Sequence, residues 1–192
     1  EEEIRLLPQR EYNANTGQFA RAKQIVAQLP PAPKRVKAAA ADISQIPRPA
    51  ATLKDYEASY FRIRHPANWQ VYASRQSAEV TIAPPEGVGQ SADGQAFIGM
   101  GVIVNLSRSQ SGRVDLGRDT DALLQQIVKN NPGARVERSE RVTLRGQPAI
   151  RARLVGPSPF RGQTEIDTVI TTARPQGLAY LILITPQSVE KD

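Results

Sequence analysis

The sequence predicts an α+β domain, an antiparallel sheet flanked by helices, preceded by a helical segment and a flexible linker. Three observations carry this. Short apolar runs rich in β-branched residues recur from about Leu53 to the end, separated by turns short enough for hairpins. One segment among them switches to helical spacing. Ahead of them, residues 30–52 hold five prolines and the alanine run Ala38–Ala41, which offers little to pack. The chain therefore divides into a helical tail over 1–29, a Pro/Ala-rich linker over 30–52 and a domain over 53–192.

In the first part, Phe19, Ala22, Val26 and Leu29 fall at helical spacing, with Thr16 as N-cap and Pro30-Pro31 as stop. One such helix cannot bury its apolar face alone. In the domain, Tyr60 to Arg64 reads as a strand ended by Pro66, and Trp69 to Tyr72 as a second. Ala78 to Ala83 is a third, stopped by Pro84-Pro85, and Ile98 to Leu106 a fourth. Asp119-Thr120 caps a helix over Asp121 to Asn130, with Leu123, Leu124, Ile127 and Val128 as its stripe and Asn131-Pro132-Gly133 as its end. Strands then resume. One runs from Val136 to Gly146, and Ile150, Ala152 and Leu154 line one face of the next. Ile166, Thr168 and Ile170 alternate with Asp167, Val169 and Thr171. Leu178 to Ile184 is apolar throughout, as in a central strand covered on both sides.

Composition excludes several function classes. Net charge is +6, but residues 1–50 and 51–192 each contribute half of it, and only Lys34, Arg35 and Lys37 cluster tightly. Aromatics make up 5%. A nucleic-acid surface concentrates charge on one face and interleaves aromatics for stacking, so no nucleic-acid partner is expected. There is no cysteine, hence no thiol nucleophile and no Cys-ligated metal. No apolar run approaches the ~20 residues of a membrane-spanning helix. The chain begins at Glu1 without a Met, and the natural start is expected to lie upstream.

The side chains that could carry chemistry are few. His65 is the only histidine, too little for a zinc hydrolase, and reads as a turn residue bonding to backbone. Asp115, Asp119 and Asp121 lack the glycine and distal glutamate of a calcium loop and fit a helix N-terminus. Gly99-Met100-Gly101 lacks a third glycine and a following helix, so it marks a bulge or a close backbone approach. Asn105-Leu106-Ser107 matches a glycosylation sequon. No catalytic, cofactor-binding or metal residue is assigned, no cofactor is expected, and the chain reads as a non-enzyme.

The remaining lead is a set of arginines that includes Arg138. Arg151 and Arg153 alternate with Ile150, Ala152 and Leu154, while Arg141 and Arg145 alternate with Val142 and Leu144. If register permits, Arg141, Arg145, Arg151 and Arg153 share one face and form a surface for an anionic partner. The plainer reading is a solvated sheet face paired with Glu137 and Glu140.

Two resemblances complete the picture. Residues 58–187 resemble the PsbP-like fold. The run Phe61-Arg62-Ile63-Arg64-His65-Pro66-Ala67-Asn68-Trp69, the mid-chain helix, and Val142-Thr143-Leu144-Arg145-Gly146-Gln147-Pro148-Ala149 carry the likeness. That implies a sheet flanked by helices with a binding or assembly role. Leu6-Leu7-Pro8-Gln9-Arg10, Tyr12 to Gly17 and Phe19 to Gln24 resemble the end of the catalytic part of bacterial zinc metallopeptidases of the HtpX/CAAX-prenyl-protease type. Asp119 to Leu123 and Ala173 to Leu178 resemble their C-terminal extensions. The zinc ligands of that class have no counterpart here. The resemblance implies an accessory domain in the bacterial cell envelope, outside the cytoplasm. Its partner would be the parent's catalytic domain, an envelope protein or a peripheral membrane surface. The alternative is a free-standing PsbP-like assembly factor binding a membrane complex.

Overall fold

A computed structural model describes residues 43–73, 77–90, 96–108 and 113–190. The helix expected over residues 18–29 and most of the linker lie outside these.

Seven strands form one antiparallel sheet in the order β3-β4-β7-β11-β10-β9-β8. They are β3 (Gln70–Ala73), β4 (Val80–Ala83), β7 (Gly101–Ser107), β8 (Arg135–Leu144), β9 (Gln147–Pro157), β10 (Thr164–Arg174) and β11 (Gly177–Pro186). The last four run as a meander. The β8–β9 link is a two-residue turn in which Arg145 (φ 48°) and Gly146 (φ 78°) both have positive φ. Such a turn matches the twist of the flanking strands and so permits a tight hairpin. The apolar run read as a central strand is β11, held between β7 and β10.

One helix, α1 (Leu116–Asn130), lies on one face of this sheet. Leu124 and Ile127 pack there on Ala152, Leu154, Val169, Ile182 and Ile103. Thus, among the described residues, a single fifteen-residue α-helix covers the sheet, where the sequence reading expects several. The helix also begins earlier than expected. Asp115, not Asp119, is the N-cap, and its carboxylate accepts from Arg118 N–H at 3.0 Å. Asp119 reaches back to accept from Asp115 N–H at 3.1 Å, so two otherwise orphaned donors are satisfied reciprocally. Thr120 is then interior, bonded to Thr171 beneath it at 2.7 Å. At the other end Asn131 Nδ2 donates to the Ile127 carbonyl at 2.8 Å, and Gly133 takes φ 90°.

Two small ribbons complete the described fold. β1 (Leu53–Glu57) pairs with β2 (Arg62–Pro66). β2 stops at Pro66, its last residue, as the sequence reading expects. β5 (Val88–Gln90) pairs with β6 (Ala96–Ile98). The single strand expected over Ile98 to Leu106 is broken at Gly99-Met100, because the chain passes tightly there. A Cβ on Gly99 would lie 2.5 Å from the Phe160 ring. The end of the linker is fastened down: Asn68 accepts from Ala50 N–H and donates to the Arg48 carbonyl, each at 2.9 Å.

Candidate functional site

The arginines divide between the two faces of the sheet. In the β8–β9 register Glu140 stands opposite Arg151, and Arg138 opposite Arg153. Arg141 stands opposite Ile150. Neighbouring residues of a strand point to opposite faces, so Arg141 lies on the helix side and Arg151 on the other. Arg145 is in the turn. Of the four residues expected together, only Arg151 and Arg153 meet, and Arg138 joins them.

That trio is neutralised within the chain. Arg151 donates to Glu140 from Nε and Nη2 at 2.9 and 2.6 Å. Arg153 bonds Glu137 at 2.8 Å and grips Glu190 with its other nitrogens. Arg138 lies 3.4 Å from Glu140. The bonds from Arg151 hold the Glu140 carboxyl below its ordinary range. Pairs this open to solvent add little to stability, because water and salt screen them. The face reads as an Arg/Glu ladder.

The helix side of β8 is different. Eight of the ten β8 residues are exposed, and no described strand pairs with its outer edge. A bulge interrupts the strand: Val136 opposes Leu154 and Arg138 opposes Arg153, leaving Glu137 extra. A bulge re-aims the side chains around it. Here it lets Val136 and Ser139, three positions apart, both line a groove of about 570 Å³ against α1. Leu124, Val128 and Val136 supply its apolar lining, and Val136 is 40% exposed. Asp121 stands toward one end, Lys129 and Arg135 toward the other. Among the described residues neither Lys129 nor Arg135 makes an ion pair. Arg141, farther along the same side, likewise makes no ion pair among the described residues; its pull on the Asp115 carboxyl is the least of several, the Arg118 backbone bond being the largest.

One buried carboxylate and two half-buried ones escape the sequence reading. Glu79 is 2% exposed; its Oε2 accepts from Asn105 Nδ2 at 3.1 Å and its Oε1 has no partner. Burial pushes this carboxyl up to about 7, against the pull of the Asn105 bond. Asn105 also donates to the Tyr180 hydroxyl at 2.9 Å, so the sequon asparagine is buried and engaged. Glu165 and Asp167 share the helix side of β10, each with an unpartnered buried oxygen. Burial raises both, and Asp167 raises Glu165 further. The available signal was parity: Asp167 alternates in phase with Val169, which α1 covers.

The other candidates fit their plainer readings. His65 meets backbone, its Nδ1 3.0 Å from the Pro66 carbonyl, but from a buried position in strand β2 rather than a turn, and Asp115 and Asp119 serve the helix N-terminus. Among the described residues no three His, Cys, Asp or Glu gather as metal ligands, and no helix is long and apolar enough to cross a membrane.

No family model matches the chain, and no curated protein matches it. Solved structures do. The solution structure of cyanobacterial PsbP (CyanoP) from Synechocystis sp. PCC 6803 superposes with a TM-score of 0.50 at 12% identity, covering 72% of this chain and 82% of that one. A Pseudomonas aeruginosa protein of unknown function, PA94, gives 0.42 at 13% identity, covering 71% and 84%. The fold is PsbP-like. The antiparallel sheet with one packed helix accords with the resemblance read from residues 58–187. At this identity the likeness speaks for the fold alone.

Proposed function

We propose that this chain is a non-catalytic accessory domain that binds a protein partner along the β8 side of its PsbP-like sheet. The observation behind the reading is β8 itself: a ten-residue edge strand, exposed over most of its length, beside an apolar groove with uncompensated cations at one end. Exposed edges are aggregation hazards unless guarded or used, and the charges and bulge of β8 guard against indiscriminate pairing. The setting that accords with the first thirty residues is the C-terminal region of a zinc-metallopeptidase-like protein in the bacterial envelope. There the partner would be the parent's catalytic domain or an envelope protein. The second reading, a free-standing assembly factor on a membrane complex, follows the PsbP-like resemblance of residues 58–187 and uses the same surface.

Photo-crosslinking in cells that make the full-length protein tests this. A benzophenone side chain at Ser139, in β8, should give discrete adducts, and one at Gln176, in the β10–β11 turn, should not. Equal adducts at both sites, or none at Ser139, would refute it.

A further inference from the structure

We infer that the groove between α1 and β8 receives an extended acidic segment of another protein, added as a strand on the open edge of β8 with its carboxylates at Lys129 and Arg135. The inference rests on the reading of β8 as the binding side and specifies what binds.

Shape comes first. An edge strand offers alternate N–H and C=O groups to an extended chain, and pockets beside it choose among the added strand's alternate side chains. Here the pocket lies on the helix side of the edge, with Val128 and Val136 as its accessible apolar surface. Its volume, about 570 Å³, is within the range that ordinarily holds a ligand-sized group. The bulge makes this site: without the extra residue, Val136 and Ser139 would point to opposite faces.

Charge then sets composition and direction. The helix and β8 run antiparallel, so Lys129 near the helix end stands by Arg135 at the strand start. Neither has an ion-pair partner among the described residues, whereas Arg138, Arg151 and Arg153 all do. Toward the other end Asp121 disfavours a carboxylate. A bound strand therefore carries its acidic residues toward Arg135 and apolar ones over Val136. A second copy of this chain fits poorly, because the one charged β8 residue that the register places on the groove side, Arg141, is cationic, as is Arg135, which borders the groove from the end of the strand.

Fluorescence polarisation with the full chain tests this. The probe is a labelled nine-residue peptide with threonine at alternate positions and two valines followed by two glutamates between them; the control replaces glutamate with lysine. Saturable binding of the acidic probe alone is expected. Lys129→Glu with Arg135→Glu should weaken it by about tenfold or more, and Val136→Asp by a similar factor. The charge effect should shrink in high salt. Arg151→Glu with Arg153→Glu should leave binding unchanged. Equal binding of both probes, indifference to the groove variants, or no binding by the wild type would overturn the inference. So would binding seen only after residues 1–42 are removed, or an Arg135-dependent dimer. If Ser139 still crosslinks while the acidic probe fails, β8 stands as the contact and its acidic occupant does not.

Discussion

Glu79→Gln should stabilise this domain at neutral pH and above. The carboxyl is buried with one oxygen unpartnered, and binds its proton at about 7 in the folded chain against 4.5 ordinarily. Between those values the folded state holds the proton that the unfolded state has released. The stabilisation from this group is therefore complete below about pH 4.5 and is lost as pH rises to about 7. At about 1.4 kcal/mol per pH unit, the loss is about 3 kcal/mol, a large share of a domain's net stability. Glutamine keeps the shape and an oxygen to accept from Asn105, and it cannot ionise. Urea unfolding at pH 4, 6 and 8 measures the difference. The variant should match the wild type at pH 4 and exceed it by about 2–3 kcal/mol at pH 8. Glu165 and Asp167 are raised too and tilt both proteins the same way, so the difference between the proteins isolates Glu79. A wild type and variant that differ equally at pH 4 and pH 8 would refute the reasoning.

Three further outcomes follow from packing and chain ties. Gly99→Ala should cost about 1–3 kcal/mol by thermal melt, because the new Cβ would strike the Phe160 ring. Thr120→Val or Thr171→Val alone should cost about 1–3 kcal/mol by leaving one buried hydroxyl unpaired, and the double variant less than the sum. Trypsin should cut at Lys34, Arg35 or Lys37 before Lys54, since Lys54 is in β1 and the stretch ahead of it is tied to Asn68, and should spare Arg48, which proline follows. Early cleavage at Lys54 would count against that fastening.

The legible parts of the fold were those where local pattern and tertiary burial agree. β9, β10 and β11 alternate or run apolar because both neighbours of each strand are in the same sheet. β1 was not legible: Leu-Lys-Asp-Tyr-Glu is almost wholly exposed and pairs only with β2, so it carries no apolar signature. The start of α1 was hidden by Gly117, which weakens local helix preference, and by two aspartates competing as caps. The arginine set failed for a different reason. Which face Arg141 shares with Arg151 depends on register, and no single strand's sequence contains it. The one-residue bulge at Glu137, which also makes the groove, is equally invisible before β8 is laid against β9. Glu79 illustrates the same limit, since Asn105, which donates to it and to the Tyr180 hydroxyl, is distant in sequence.

Hydrogen exchange tests the central claim most directly. Backbone amides of the full chain would be followed with and without the valine–glutamate probe at saturation. Slowed exchange along residues 135–141 of β8, with β3 at the opposite edge unchanged, is the expected result. Unchanged exchange along β8, or equal slowing at β3, would contradict it.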